Sequence, residues 1–242
     1  MTYRGFHLRI NAPIILLLGC ILLAVGSPYA EFASVAIPLA VLLAIVVVFT
    51  APWDNRAIEW GIWDFPDDRL LFRIRRLPIE ELAFFVLQTI EVVIAVLIAL
   101  SVFNIRLQPA DVTASNLTLC GAIAVMWGGG LLLGRNVPRN HPRWHYAWHL
   151  AIWFLPLIAM QWALAPDVLR AGLPCIITSA LVVGTALSIA DVWAVRHGIW
   201  FFDSRRNTGH LLGQILPWEE VAFFYITSVV VAQSILLLLP PR

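Results

Sequence analysis

Leu77-Pro78-Ile79-Glu80-Glu81-Leu82-Ala83-Phe84-Phe85 returns later in the chain as Leu216-Pro217-Trp218-Glu219-Glu220-Val221-Ala222-Phe223-Phe224, with seven of nine positions identical. The copies lie 139 residues apart (219 minus 80). Each opens a long apolar run, Leu82 to Phe103 in the first case and Val221 to Leu239 in the second. A proline at the first helical position with acids in the first turn is an ordinary helix start, and Pro78 and Pro217 fit that role. Capping needs one acid, however, not an adjacent pair followed by Ala-Phe-Phe. Two carboxylates where a chain enters a hydrophobic medium, alike in both copies while the following helices differ, point to chemistry.

The surroundings of the motif are those of a membrane. Of 242 residues, 60% are hydrophobic and 13% charged, outside the range of an ordinary soluble domain. A formal charge of +1 gives no ground for nucleic acid or an acidic substrate as partner. Cys20, Cys120 and Cys175 fall inside apolar runs without metal-like spacing and read as small core residues. Seven segments approach the ~20 helical residues that cross a hydrocarbon core: Ala12–Tyr29, Phe32–Ala51, Glu81–Phe103, Leu117–Gly134, Trp144–Ala165, Arg170–Val192 and Glu220–Leu239. The first also fits a signal peptide with Arg4 and Arg9 as its basic region. The internal repeat, and Asn11 with Pro13 as a helix start, favour a retained helix.

All sixteen basic residues are arginines, and thirteen fall on the N-terminal segment and loops 2–3, 4–5 and 6–7. Only Arg106, Arg170 and Arg242 fall on the other side. The positive-inside rule then predicts a cytoplasmic N-terminus, both Pro-Xaa-Glu-Glu loops in the cytoplasm and the C-terminus outside. The run Phe72-Arg73-Ile74-Arg75-Arg76 is expected at anionic lipid headgroups.

The repeat is wider than the motif. Asp54 to Phe65 aligns with Asp191 to Phe202 at an offset of 137, six of twelve positions being identical. Helices 1–3 therefore match helices 5–7, with helix 4 as connector. The expected fold is all-α: seven transmembrane helices in two parallel three-helix repeats. The first repeat spans 1–103, the connector 104–143 and the second repeat 144–242.

A carboxyl pair at a dry, aromatic-lined site suits one task, the gift of a proton to something apolar. Burial and a like-charged neighbour keep one acid un-ionised. Adjacent helical residues point about 100° apart, so only one member of each pair faces a given site, and the repeat does not say which. Protonation of an alkene makes a carbocation, which aromatic faces and a nearby carboxylate hold. Trp60, Trp63, Trp200, Phe84, Phe85, Phe223 and Phe224 are the available faces. Glu91, three turns beyond Glu80 on the same helical face and about 16 Å deeper, is a further ionisable group expected to face the bundle interior. Its counterpart is Val230.

The doubled Pro-Xaa-Glu-Glu-Xaa-Xaa-Phe-Phe motif, the upstream Asp…Gly-Xaa-Trp stretches and the duplicated seven-helix layout resemble the cofactor-independent carotenoid (lycopene) cyclases of bacteria, archaea and fungi. Their two halves occur as separate subunits or fused. The resemblance implies redox-neutral, acid-catalysed cyclisation of the linear ψ end group of lycopene or a related carotenoid to an ionone ring. It implies no cofactor, in keeping with the lack of a Gly-Xaa-Gly-Xaa-Xaa-Gly fingerprint, and no metal. The catalytic residues it implies are Glu80, Glu81, Glu219 and Glu220, with Asp54 and Asp191 as supporting acids; Glu91, from its position on the helix, is counted beside them as a third. Its partners would be a carotenoid drawn from the bilayer and membrane lipid, with room for a homo-oligomer or contact with other carotenoid enzymes. Asp64 departs from the repeat, its counterpart being Phe201.

Three other readings have weaker support. His141, His145 and His149 are spaced i, i+4, i+8, as metal ligands can be, but a membrane di-iron oxygenase needs about eight histidines and the chain has six. Asp64-Phe65-Pro66-Asp67-Asp68 resembles the acidic clusters of prenyltransferases, yet its counterpart Asp203-Ser204-Arg205-Arg206 lacks the paired acids. A three-plus-one-plus-three transporter would place polar groups at the bilayer midplane, where helices 2, 5 and 7 carry almost none.

Overall fold

Pro78 and Pro217 each end a short strand and begin a long helix, and these two junctions organise the molecule. The computed structural model describes residues 1–29, 31 and 33–241, without the side chains of Arg135 and Pro138. Phe32, expected to begin the second span, and Arg242 lie outside the described residues. The chain runs α1 (Tyr3–Arg9), α2 (Asn11–Val25), α3 (Ala33–Glu59), β1 (Trp63–Asp64), β2 (Arg73–Ile74), β3 (Leu77–Pro78), α4 (Ile79–Val102) and α5 (Ala114–Leu133). It continues with α6 (Val137–Asn140), α7 (His145–Leu164), α8 (Pro166–Ala171), α9 (Leu173–Arg196), β4 (Phe201–Phe202), β5 (Leu211–Leu212), β6 (Leu216–Pro217) and α10 (Trp218–Leu238). Among the described residues seven helices, with Tyr3–Val25 taken together, are long and apolar enough to cross a membrane. The protein is an all-α integral membrane protein.

The prolines stand one place earlier than a first-turn proline: each is the N-cap, in extended backbone (φ −60° at Pro78, −53° at Pro217), and no side chain caps the helix. Helices α4 and α10 pack against each other and against α9, with α2 and α3 flanking α4 and α7 flanking α10. Gln88 Nε2 donates to Thr227 Oγ1 at 2.8 Å, joining α4 to α10 through positions that match in the two motif copies. Helix α5 rests on α7 and has no buried residue. Outward Leu, Val and Ile side chains on α2, α3 and α5 are what a lipid-facing surface requires.

The main departure from the expected spans is α3, which continues past Ala51 through Pro52 to Glu59. Trp53, Asp54, Ala57 and Ile58 are buried against the bundle, and this packing carries the helix eight residues beyond its apolar run. Both α3 and α9 then stop at matching glycines in the left-handed region, Gly61 (φ +66°) and Gly198 (φ +63°). At the first, Gly61 N donates to Ile58 O and Ile62 N to Ala57 O; at the second, Gly198 N donates to Val195 O and Ile199 N to Ala194 O. This is the Schellman arrangement, which satisfies the last carbonyls of a helix and needs a residue free of the Cβ penalty at its turning point. It explains why Ala, Gly and Ile recur together in both copies: Ala57 and Ala194 are fully buried, as is Ile199, and Ile62 nearly so. The turn sends the following tryptophan back over the helix end. There β1 and β4 pair antiparallel, Trp63 opposite Phe202 and Asp64 opposite Phe201.

Candidate active site

In both copies the first glutamate turns away and closes its own loop. Glu80 Oε1 accepts from Leu71 N at 2.7 Å, and Glu219 Oε1 accepts from Thr208 N, also at 2.7 Å. These bonds fasten the β2–β3 and β5–β6 hairpins to the starts of α4 and α10. About 100° further round each helix, Glu81 and Glu220 point inward and line one shared cavity of about 30 Å³. The other ten residues lining it are all aromatic, from both halves of the chain. Such a volume admits one or two water molecules.

Each inward glutamate is held by a tyrosine that the motif does not contain. Tyr3 donates from its hydroxyl to Glu81 Oε2, and Tyr146 donates to Glu220 Oε2. The tyrosine rings are clamped in matching ways. Tyr3 stacks on Phe65 (centroids 5.6 Å, 15°) and meets Trp200 at 4.9 Å. Tyr146 stacks on Phe202 (6.4 Å, 16°) and meets Trp63 at 5.2 Å. Each tyrosine thus sits between the phenylalanine that ends one repeated stretch and the tryptophan of the other, Tyr3 between Phe65 and Trp200 and Tyr146 between Phe202 and Trp63. A signal was available, since the chain has four tyrosines and two of them stand at the starts of helices, Tyr3 first in α1 and Tyr146 second in α7. Their offset of 143 differs from that of the motif, and they read as flanking residues.

Asp54 and Asp191 lie behind the cavity on the last turns of α3 and α9, both buried. Trp63 Nε1 donates to Asp54 Oδ1 at 3.1 Å. The corresponding approach of Trp200 to Asp191 falls short of hydrogen-bond geometry, so neither Asp191 oxygen has a partner among the described residues. Each aspartate is within electrostatic reach of both Glu81 and Glu220. Four acids therefore share one buried, aromatic region.

The structure separates the remaining aromatic residues. Trp63, Trp200, Phe84, Phe223 and Phe224 line the cavity. Phe85 instead lines an apolar cleft of about 110 Å³ among α3, α4, α7 and α10, and Phe223 stands between cleft and cavity as a wall of both. Trp60 is elsewhere, beyond the end of α3 against His145 and His149 (4.7 and 5.2 Å). Trp53, not singled out by the repeat, stacks on Phe223 at 5.3 Å and on His149 at 5.0 Å. Glu91 is fully buried but lines no part of the cavity; its Oε1 accepts from Asn11 Nδ2 at 3.1 Å.

The competing clusters do not assemble. His149 Nε2 donates to Trp53 O at 3.0 Å and ties α7 to α3, while His141 lies exposed in the turn before α7. No group of three or more His, Cys, Asp or Glu placed to hold a metal occurs among the described residues. Asp64 and Asp67 are paired with Arg73 at 3.1 and 2.9 Å, and the Asp68 side chain is largely exposed beside Arg69. In the loop after β4, hydrogen bonds from Arg205 lower the Asp203 pKa below its ordinary value.

A family model described as lycopene cyclase matches residues 9–97 and again 142–237. A curated lycopene beta-cyclase from Halobacterium salinarum is 33% identical over 206 residues, covering 82% of this chain and 81% of that protein. A bifunctional lycopene cyclase/phytoene synthase from Arthroderma gypseum is 28% identical over 97% of this chain but only 41% of its own length. One from Sporisorium reilianum is 28% identical, covering 97% of this chain and 34% of that protein. No solved structure matches.

Proposed function

Since this chain belongs to the lycopene cyclase family, we propose that it converts the linear ends of lycopene, or a related carotenoid, to rings by acid catalysis at the Glu81–Glu220 cavity. The observation that carries the reading is that two glutamates, each held by a tyrosine, share a chamber otherwise walled by aromatic rings.

The chemistry is redox-neutral. A carboxyl gives its proton to the terminal double bond, leaving a tertiary carbocation. The neighbouring double bond attacks, closing the ring and moving the charge onto it. An adjacent C–H then loses its proton to a carboxylate, and its electrons form the ring double bond. Each aromatic face near the cation contributes ~0.5–2 kcal/mol. An end group that fills the chamber displaces the water it can hold, so the cation is shielded from capture by solvent during turnover. Glu80 and Glu219 serve in this reading as hairpin fasteners, and Asp54 and Asp191 as supporting acids that influence the charge of the inner pair.

The cavity is smaller than an end group, so admission requires wall side chains to move. The apolar cleft meets the cavity at Phe223 and has one wall on α3, whose outward side faces lipid, which suits a polyene arriving from the bilayer. The arginine distribution supports a cytoplasmic position for both hairpins and the chamber, and the two halves are read as duplicated three-helix repeats joined by α5.

Expression in a lycopene-accumulating bacterial host tests the assignment. The wild-type chain is expected to convert lycopene to cyclic products of unchanged mass, and chromatography names the ring. Glu81→Gln and Glu220→Gln should each impair that conversion while the protein still accumulates in the membrane. Full activity in both would remove acid catalysis by these residues.

A further inference from the structure

The two half-sites match around their glutamates and differ behind them. In the first half a buried polar chain runs along α1, α2 and α4. His7 Nε2 lies 2.9 Å from the backbone oxygen of Glu80, His7 Nδ1 lies 3.1 Å from Asn11 Oδ1, and Asn11 Nδ2 lies 3.1 Å from Glu91 Oε1. All three side chains are buried, and Glu91 Oε2 has no partner among the described residues. Counting from the paired tyrosines, the places of His7 and Asn11 are taken in the second half by Leu150 and Phe154, and counting from the motif, that of Glu91 by Val230. All three replacements are buried and apolar. A four-residue spacing from Tyr3 to His7 to Asn11 thus carries polar groups in one copy and none in the other.

The chain's hydrogen bonds allow two arrangements. The Glu80 oxygen only accepts, so His7 Nε2 carries a hydrogen. In one arrangement Nδ1 carries a second hydrogen toward Asn11 Oδ1, and an ionised Glu91 accepts from the amide nitrogen. In the other, Asn11 is turned over: its nitrogen donates to a bare Nδ1, and a protonated Glu91 donates to its oxygen. Both hold the same number of protons. The first puts a positive charge on His7, whose ring lies 4.8 Å from that of Tyr3, the residue bonded to Glu81. The second leaves His7 and Glu91 both uncharged. The first half can therefore offset a charge on Glu81 and withdraw the offset when that charge disappears. The second half has no such device, and its apolar backing suits an acid that rests un-ionised.

Resting on the acid-catalysis reading above, we propose that the halves divide the two proton transfers. Glu220, backed by Leu150, Phe154 and Val230, gives the proton that starts cyclisation. Glu81, with His7, Asn11 and Glu91 as positioning residues, takes the proton that ends it. In one turnover the Glu220 O–H bond breaks and a C–H bond forms at the less substituted carbon of the terminal double bond, leaving the cation on the tertiary carbon. A ring C–C bond then forms, the leaving C–H bond breaks into a ring double bond, and its proton ends on Glu81. Between turnovers that proton returns to Glu220 through water that the chamber has room to hold.

The division predicts two different kinds of damage, because the acceptor selects which hydrogen leaves and hence where the ring double bond falls. Glu81→Gln, Glu220→Gln, Glu91→Gln and Glu91→Val would be compared in the lycopene-accumulating host, with membrane protein measured by immunoblot. Total cyclised pigment and the ratio of ring double-bond isomers would be quantified by chromatography with absorption and mass spectra. Loss of the donor in Glu220→Gln should lower cyclised pigment by roughly 10²–10⁴-fold and leave the isomer ratio of the residue unchanged. Glu81→Gln and Glu91→Gln should shift the isomer ratio several-fold. Glu91→Gln keeps an acceptor for Asn11 and removes the mobile proton, so it remains informative if the valine variant fails to accumulate. A wild-type isomer ratio in Glu91→Gln would make the chain a packing feature and overturn the proposal. So would an isomer shift confined to Glu220→Gln, which reverses the roles. Full activity in both Glu81→Gln and Glu220→Gln would instead remove the acid-catalysis reading beneath it.

Discussion

Replacing Tyr146 by phenylalanine removes one oxygen from the site and little else. The ring is fully buried, stacked on Phe202 and tilted against Trp63, and both contacts survive the change. What is lost is the hydroxyl that donates to Glu220 Oε2. A hydrogen bond to the charged carboxylate that Glu220 becomes as it gives its proton contributes ~1.5–3 kcal/mol. If that bond fixes the carboxyl for proton delivery, its loss corresponds to a fall of roughly 10- to 150-fold in the rate of ring formation. The assay is initial cyclisation in membranes supplied with lycopene, normalised to the amount of enzyme, with thermal stability measured in parallel. Tyr3→Phe removes the matching hydroxyl from Glu81, and its effect should appear in the ratio of ring isomers. The pair Tyr146→Phe with Glu220→Gln should be no slower than Glu220→Gln alone, because the tyrosine acts only through the glutamate. A Tyr146→Phe rate within twofold of wild type, or a double mutant whose losses multiply, would refute the reasoning.

Two further outcomes separate scaffold from chemistry. Glu80→Ala and Glu219→Ala each leave a backbone N–H of a hairpin without its acceptor, so stability should fall by ~1–3 kcal/mol, while chemistry at the inner glutamates persists in the protein that folds; a lowered melting temperature with retained turnover per folded enzyme is the expected pattern. Gly61→Ala and Gly198→Ala put a side chain at φ +66° and +63°, where the left-handed region costs a Cβ-bearing residue ~1–2 kcal/mol, and both should lower the melting temperature although open space surrounds each position.

Much of this architecture was legible in the sequence because the bilayer imposes it. Runs of about 20 apolar residues with arginines between them admit few interpretations, and a motif repeated at a fixed offset implies that its copies share an environment. The ends of helices were less legible. Hydropathy stops at Ala51, but α3 is extended to Glu59 by the burial of Trp53, Asp54 and Ala57, which depends on what the rest of the bundle offers them. That extension is why Trp60 falls outside the chamber while Trp63, after the glycine turn, falls inside. The choice between Glu80 and Glu81 was equally closed to inspection. Both are acids in the first turn, and only the distance to Leu71 N on one side and Tyr3 on the other tells them apart. Tyr3 and Tyr146 lie outside every repeated word, and contacts across the whole chain bring them to the site.

The crossed clamp on the tyrosines sets the order in which the protein can be finished. Tyr3 is synthesised 197 residues before Trp200 (200 minus 3), the ring it rests against, and the partner cradle around Tyr146 needs Trp63 from the early part of the chain. Helices entering the membrane one after another can therefore build the bundle progressively but not its chamber, which closes only when the last loops and α10 arrive. Contacts so distant in sequence are slow to form and leave apolar surface uncovered in the meantime. A chain arrested before α9 would hold its first aromatic residues without the faces meant to cover them. Assembly of the chamber is thus a late checkpoint on the integrity of the whole polypeptide.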